Sequence, residues 1–331
     1  MSTRTPTLSR PLDPAKFRDP VRTAKGEVRA QVALAGLRTL WINTGTLCNI
    51  ACASCYIESS PRNDALAYIT AAEVTAYLDE AAALGLPVEE IGFTGGEPFM
   101  NPDLLPMLAD VLARPGLEAP GLQAPGLQAM VLTNAMQPLR RYGAPLLGLR
   151  DRFGVERLTL RVSLDHHEAS LHDIERGEGS FAKSLEGLTW LAREGFRVHV
   201  AARLGFGAGE EAAMRAGFAR LFADHAIPID AADPVALMLF PEMDATADVP
   251  EITEACWGIL HKSPDSVMCA SSRMVVKRKG AARPAVLACT LLAYDPQFEL
   301  GATLAEASRP VALNHPHCAR FCVLGGAACS R

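Results

Sequence analysis

No apolar stretch of signal-peptide length opens the chain at Met1-Ser2-Thr3-Arg4-Thr5-Pro6, and nothing there resembles an export cleavage site. A framework of disulfides is therefore not expected; the chain reads as cytosolic, where thiols stay reduced. No uninterrupted apolar run approaches the roughly 20 residues that a membrane span requires. An excess of positive charge is also missing: 32 Lys and Arg against 37 Asp and Glu leave a net charge of −5. That balance offers no electrostatic footprint for a phosphate backbone and argues against a nucleic-acid substrate. What is present is a chain of 331 residues, 49% hydrophobic and 21% charged, long enough for a full core and a smaller second one. It also holds nine cysteines. With no use for disulfides, metal is the leading explanation for most of them.

Residues 1–36 are rich in Pro, Arg and Lys without periodicity and read as an arm on the surface, its basic charge solvated. From residue 37 short β-rich apolar runs alternate with helical patterns, which argues for successive βα units and a parallel sheet. Strands are expected at 38–44, 89–94, 129–133, 157–163, 197–203 and 235–240. Helices are expected at 70–84, 101–113, 138–149, 181–194 and 209–225. Thr70-Ala71-Ala72-Glu73 has the form of a capping box. Six units fall short of the eight in a closed TIM barrel, so the fold class is α/β, an open, partial (βα)6 TIM-like barrel over 37–245. Three copies of a Pro-Gly-Leu unit at 115–129 break helix and strand alike and read as an expanded surface loop before the third strand.

Ligands of parallel α/β folds bind at the carboxyl ends of the strands. After the first expected strand comes Cys48-Asn49-Ile50-Ala51-Cys52-Ala53-Ser54-Cys55, and after the second Thr94-Gly95-Gly96-Glu97-Pro98. Thr133 and Asn134 follow the third, Ser163 and Asp165 end the fourth, and Arg203 ends the fifth. Three thiolates at the first spacing suit three corners of a [4Fe–4S] cluster and leave the fourth iron open to an outside ligand. A structural zinc site usually shows paired Cys-x-x-Cys knuckles, whereas the first gap here is three residues. Ordinary buried cysteines explain single positions but not this grouping. Two glycines before Glu97 would let backbone approach a ligand and present carbonyls and a carboxylate to an ammonium.

This conjunction resembles the radical S-adenosylmethionine (SAM) superfamily, over roughly residues 37–245. The resemblance implies that Cys48, Cys52 and Cys55 ligate a [4Fe–4S] cluster whose open iron binds the methionine moiety of SAM. It implies reductive cleavage to a 5′-deoxyadenosyl radical that takes hydrogen from substrate. Gly95, Gly96 and Glu97 would contact the methionine amino group, and Thr133, Asn134, Ser163, Asp165 and Arg203 would meet ribose or carboxylate. A flavodoxin- or ferredoxin-type reductant would supply the electron. Position 54, aromatic in the family, is Ser here, and Tyr56 would take over packing near adenine. His172-Asp173 and Arg176-Gly177 resemble a segment of the branch with molybdenum-cofactor and peptide-modifying enzymes; His167, His172 or Asp173 would be acid or base, or else the loop is held by its own hydrogen bonds.

Beyond residue 245 a hairpin is expected across 274–287, with Cys269 and Cys289 at its open ends and Cys318 and Cys322 later in the chain. The order resembles Twitch and SPASM extensions, which hold auxiliary iron–sulfur clusters, so 246–331 is expected to be a small Twitch-like hairpin and helix domain with one cluster. Cys329 is a substitute for one of its four ligands, His315 or His317 would join a zinc alternative, and Cys256 is expected in the core. A fully ligated cluster cannot bind SAM, which favours net oxidation or crosslinking of a small-molecule or peptide substrate. No leader-peptide-binding or cobalamin-binding domain is expected. Rival readings are a non-catalytic iron–sulfur electron carrier and a zinc-stabilised binding module.

Overall fold

The computed structural model describes residues 10–116, 126–205, 210–241 and 243–326. In chain order they form β1 (Gln31–Val32), β2 (Thr39–Asn43), α1 (Ala71–Ala83), β3 (Glu90–Thr94), α2 (Leu104–Ala113) and β4 (Gln128–Thr133). There follow α3 (Gln137–Arg140), α4 (Gly143–Phe153), β5 (Leu158–Ser163), α5 (Ala169–Arg176), α6 (Ser180–Arg193), β6 (Arg197–Arg203), α7 (Glu210–Asp224) and β7 (Leu237–Phe240). The last segment gives α8 (Ala255–Leu260), β8 (Ser272–Val276), β9 (Ala285–Leu287), β10 (Glu299–Gly301), β11 (Val311–Ala312) and a π-helical turn, Cys318–Leu324.

Strands β2 to β7 pair in parallel in sequence order, as the expected partial barrel requires. Leu40, Trp41 and Ile42 are all fully buried, because helices on one face and the barrel interior on the other leave no wet side to alternate with. Trp41 lies opposite Gly92, where a Cβ would come within 2.4 Å of the indole ring. The capping box forms: Thr70 Oγ1 accepts from the Glu73 amide at 3.3 Å, and the Glu73 carboxylate accepts from the Thr70 amide at 2.9 Å.

Several expectations need correction. The single helix expected over 138–149 is two, because the chain turns at Arg141-Tyr142 before α4 begins. Helix α2 starts at Leu104 rather than 101; Pro98–Met100 form a tight 3₁₀ turn instead, and the Asn101 side chain donates to the carbonyls of Thr44 and Ile69. Helix α5 was not expected at all; five of its eight residues are polar or charged and its one fully buried side chain is His172. In the 115–129 repeat, 117–125 lie outside the described residues. The flanks are drawn together, with the Arg157 guanidinium donating to the carbonyls of Arg114 and Leu127.

The C-terminal hairpin forms, but its first strand adds to the main sheet. Strand β8 pairs in parallel with β2, and β9 and β10 continue antiparallel, giving the order β10-β9-β8-β2-β3-β4-β5-β6-β7. The arm is tied down by the same half of the chain. Strand β1 pairs with β11, and Arg29, read as solvated, is fully buried against Glu251 at 2.5 Å. Breaking such a buried pair from one side costs about 3–5 kcal/mol. Among the described residues no helix is long and apolar enough to cross a membrane.

Candidate active site

The loop after β2 and the turn after β3 are built against each other. The Thr44 amide donates to the Thr94 carbonyl at 2.8 Å, the Gly96 amide to Gly45 at 2.7 Å, and the Glu97 amide to Leu47 at 3.1 Å. A Cβ at Gly96 would stand 2.1 Å from the Leu47 carbonyl oxygen, and one at Gly95, whose φ is +133°, 2.5 Å from that of Gly45. The glycine pair therefore serves first to let the cysteine loop lie directly on the β3 turn.

Above this junction opens a cavity with about 1150 Å³ of empty space, its mouth included. Cys48, Cys52, Cys55 and Tyr56 form one wall; Gly95, Gly96, Thr133, Asn134, Ser163, Asp165 and Arg203 line the strand ends. Phe240, Pro241 and Met243 after β7, with Leu291 and Phe321 from the C-terminal segment, make an apolar wall. The rings of Phe240 and Phe321 stack at 5.6 Å.

Glu97 stands apart from the expected set. It does not line the cavity; its carboxylate is buried and accepts from Thr133 Oγ1 and the Asn134 amide, each at 2.8 Å, and from the Phe99 amide at 3.2 Å. Burial pushes its pKa up to about 7 against these donors. Its role in this geometry is to fasten the end of β3 to that of β4. Asn134 in turn donates to Asn49 at 2.8 Å and lies 3.9 Å from Cys48 Sγ.

Two cavity residues that sequence assigned to a cofactor are already ion-paired. Asp165 takes a two-pronged contact from Arg176, at 2.7 and 3.0 Å. Burial works against the Asp165 carboxylate, yet Arg176 prevails and its pKa lies below the usual range. Arg203 pairs with Glu175 at 2.7 Å. Arg176 itself lines the cavity, and sequence reasoning quoted it without giving it a place there. Its charge offsets part of the burial that raises the Cys52 thiol; Cys48, with less relief, is pushed up to about 12 by burial.

Of the two readings of the segment after β5, the geometry favours a loop held by its own hydrogen bonds. His172 is wholly buried; its Nδ1 accepts from the Asp165 amide at 3.1 Å, and burial depresses its pKa to about 4. Asp173 accepts from the amides of Gly179 and Phe181, each at 2.8 Å, and so closes the start of α6. His167 packs edge-on against Phe218, outside the cavity lining. His172 and Asp173 hold the loop together through its own hydrogen bonds.

The second cysteine set also converges. Cys269, Cys289, Cys318 and Cys322 line a smaller cavity of about 380 Å³ with Phe298, Leu292 and His317. Burial pushes Cys269 up to about 11 and raises Cys318 well above an ordinary thiol. Cys329 lies outside the described residues. Cys256 is half-buried in α8, where its sulfur accepts from the Thr253 amide. Among the described residues, the group whose three ligand atoms fall within 4.8 Å of one another is His166, His167 and Glu168, not either cysteine set.

A sequence profile of the Radical SAM superfamily matches residues 42–222. The antilisterial bacteriocin subtilosin biosynthesis protein AlbA of Bacillus subtilis (strain 168) is 30% identical over 155 residues, which is 46% of this chain and 30% of that protein. The match thus spans less than a third of this curated relative. Streptococcus suis SuiB, solved bound to S-adenosylmethionine, matches with a TM-score of 0.55 at 13% identity, covering 81% of this chain and 64% of that one; it has also been solved bound to the precursor peptide SuiA. anSMEcpe with bound AdoMet gives 0.54 at 12% identity, covering 81% and 79%. At these identities the structural likeness is one of fold.

Proposed function

The chain belongs to the radical SAM superfamily, whose profile spans more than half of it, and on that premise we propose that it cleaves SAM reductively at a [4Fe–4S] cluster held by Cys48, Cys52 and Cys55. The hydrogen donor is a substrate seated in the same cavity, a peptide in the first instance. The observation that carries this reading is the junction of the cysteine loop with the Gly95–Gly96 turn, facing one cavity with polar strand ends.

The residues fit the groups. Three thiols stand together on one wall of the larger cavity and four line the smaller one, a donor set that suits iron–sulfur clusters. Buried thiols with raised pKa values ionise when a cation takes the proton's place. Bound there, the cluster and SAM supply one-electron cleavage of the sulfonium and a 5′-deoxyadenosyl radical. The chain's own residues orient and exclude. The Gly95 and Gly96 backbone faces an ammonium, the Arg176 guanidinium, held in place by Asp165, faces the carboxylate end, and Tyr56 packs near adenine. The stacked Phe240 and Phe321 keep water from the substrate side.

Cys269, Cys289, Cys318 and Cys322 hold an auxiliary cluster, so that residues 246–331 act as a second module beside the barrel of 37–245. Four thiols in an apolar pocket leave no coordination position for SAM, which favours accepting or relaying an electron and hence net oxidation or crosslinking. Leu291 lines both cavities. The peptide assignment draws on the bacteriocin biosynthesis protein and the SuiB complex with a precursor peptide. Anaerobically reconstituted protein with dithionite and SAM is expected to release 5′-deoxyadenosine and to hold about eight irons per chain, four per cluster. Well-loaded protein that forms no 5′-deoxyadenosine overturns the reading.

A further inference from the structure

The cysteine loop has two limbs, and they are held by different means. The Cys48 limb is anchored in the barrel: its amide donates to the Ser60 carbonyl at 3.1 Å, and Asn134 reaches it from β4. The limb from Cys52 to Cys55 has no strand or helix of its own. Among the described residues, the hydrogen bonds that Ala53 and Ser54 make outside the cysteine loop all end on Glu175 and Arg203. The Ala53 amide donates to the Glu175 carbonyl at 2.8 Å. The Ser54 hydroxyl donates to the Glu175 carboxylate and accepts from the Arg203 guanidinium, which also pairs with that carboxylate at 2.7 Å.

Both partners are rigidly placed. Glu175 sits in the last turn of α5, next to Arg176, whose grip on Asp165 fixes that turn to the end of β5. Arg203 ends β6, where its amide donates to the Asp165 carbonyl at 3.1 Å. Side chains of Arg203 and Glu175 are only 23% and 20% exposed, so the charge-assisted bonds are partly shielded from water.

We propose that Glu175, through Ser54 and Arg203, is a positioning residue that sets the Cys52–Cys55 limb against the ends of β5 and β6. Two of three cluster ligands thereby flank a contact to the end of α5, while the Cys55 sulfur also accepts from the Ser59 amide at 3.3 Å. The inference rests on the cluster assignment above and deepens it. Arg203 then acts on the cluster loop rather than on SAM, as its hydrogen bonds already have it. Outer contacts that orient metal ligands are typically worth 10–100-fold in metal affinity.

The test uses the full chain, reconstituted anaerobically, with Glu175→Ala, Glu175→Gln and Ser54→Ala. Three quantities are read: the rate at which a chelator strips iron from the first cluster, the change in the reduced cluster's electron paramagnetic resonance signal on adding SAM, and the Kd for SAM. Glu175→Ala is expected to speed iron loss at least 10-fold, weaken SAM binding about 10-fold and broaden the resonance signal. Glu175→Gln keeps one acceptor oxygen and falls between the two. Glu175→Ala that melts like wild type, with unchanged iron loss and SAM affinity, overturns the proposal. If Glu175→Ala does not fold, Ser54→Ala decides it: about 3-fold effects are expected, and wild-type values on all three quantities overturn it. Wild-type protein that holds its iron but shows no response to SAM sinks the functional reading instead, and the clamp is then judged on iron loss alone.

Discussion

Two groups of cysteines line two cavities that share Leu291, and the cavities differ in size and in the polarity of their linings. The first lies on one wall of a wide cavity whose other walls are strand ends carrying hydroxyl, amide, carboxylate and guanidinium groups and an apolar side that includes Phe240 and Phe321. The second lies in a small pocket walled by Phe298, Leu292, Val311 and Leu313. The larger cavity with its polar strand ends has space for a ligand beside three thiols, whereas the smaller one is lined almost wholly by hydrocarbon around four. Under the proposed cluster assignment the same residue type serves exchange in one place and permanence in the other.

The largest effects should come from breaking one group at a time. Cys52→Ala is expected to abolish 5′-deoxyadenosine formation and remove about four irons, one cluster's worth, while Cys318→Ala removes a similar amount yet leaves SAM cleavage intact. Iron analysis with product chromatography checks both, and loss of cleavage in Cys318→Ala would erase the contrast. Next is Gly96→Ala, which pushes a methyl group into the Leu47 carbonyl. It should cost about 3 kcal/mol or more by overpacking against backbone, and denaturant melts of the apo chain measure it.

A smaller effect concerns the rim of the first cavity. His172 is held neutral, its pKa lowered from 6.5 to about 4 by burial. The unfolded state therefore binds its proton first, so this stabilisation is full above about pH 6.5 and lost as pH falls through about 4, roughly 3 kcal/mol in all. His172→Asn should flatten that acid limb of stability between pH 6.5 and 4. The mildest change belongs to the second half of the chain. Gly258 in α8 has open space around its Cβ position, and Gly258→Ala should stabilise by about 0.5–1 kcal/mol. Destabilisation there would mean that α8 is packed against something the structure does not describe.

How much of this was legible depends on whether a signal was local. The six barrel strands read correctly because buried parallel strands are near-continuous apolar runs, and Thr70 with Glu73 marks its helix start by chemistry confined to one turn. Helix α5 escaped because it is only eight residues long and buries no apolar side chain, and so did Glu175, which has no motif and acquires its role only from Ser54 and Arg203, 121 and 28 residues away. Arg29 was misread for the same reason: its partner Glu251 is 222 positions distant.

By itself the sequence determined the order of βα units, the three-cysteine run at one strand end and the glycine pair at the next, because each depends on spacing within one element and its loop. Only the tertiary structure decided what those residues touch. It put Glu97 behind the cavity wall rather than in it, turned the Gly95–Gly96 pair toward the cysteine loop, and engaged Asp165 and Arg203 with Arg176 and Glu175. Whether a charged group faces a ligand or a neighbour is settled by which strands and helices meet at the rim, and that is a property of the assembled sheet rather than of any window along the chain.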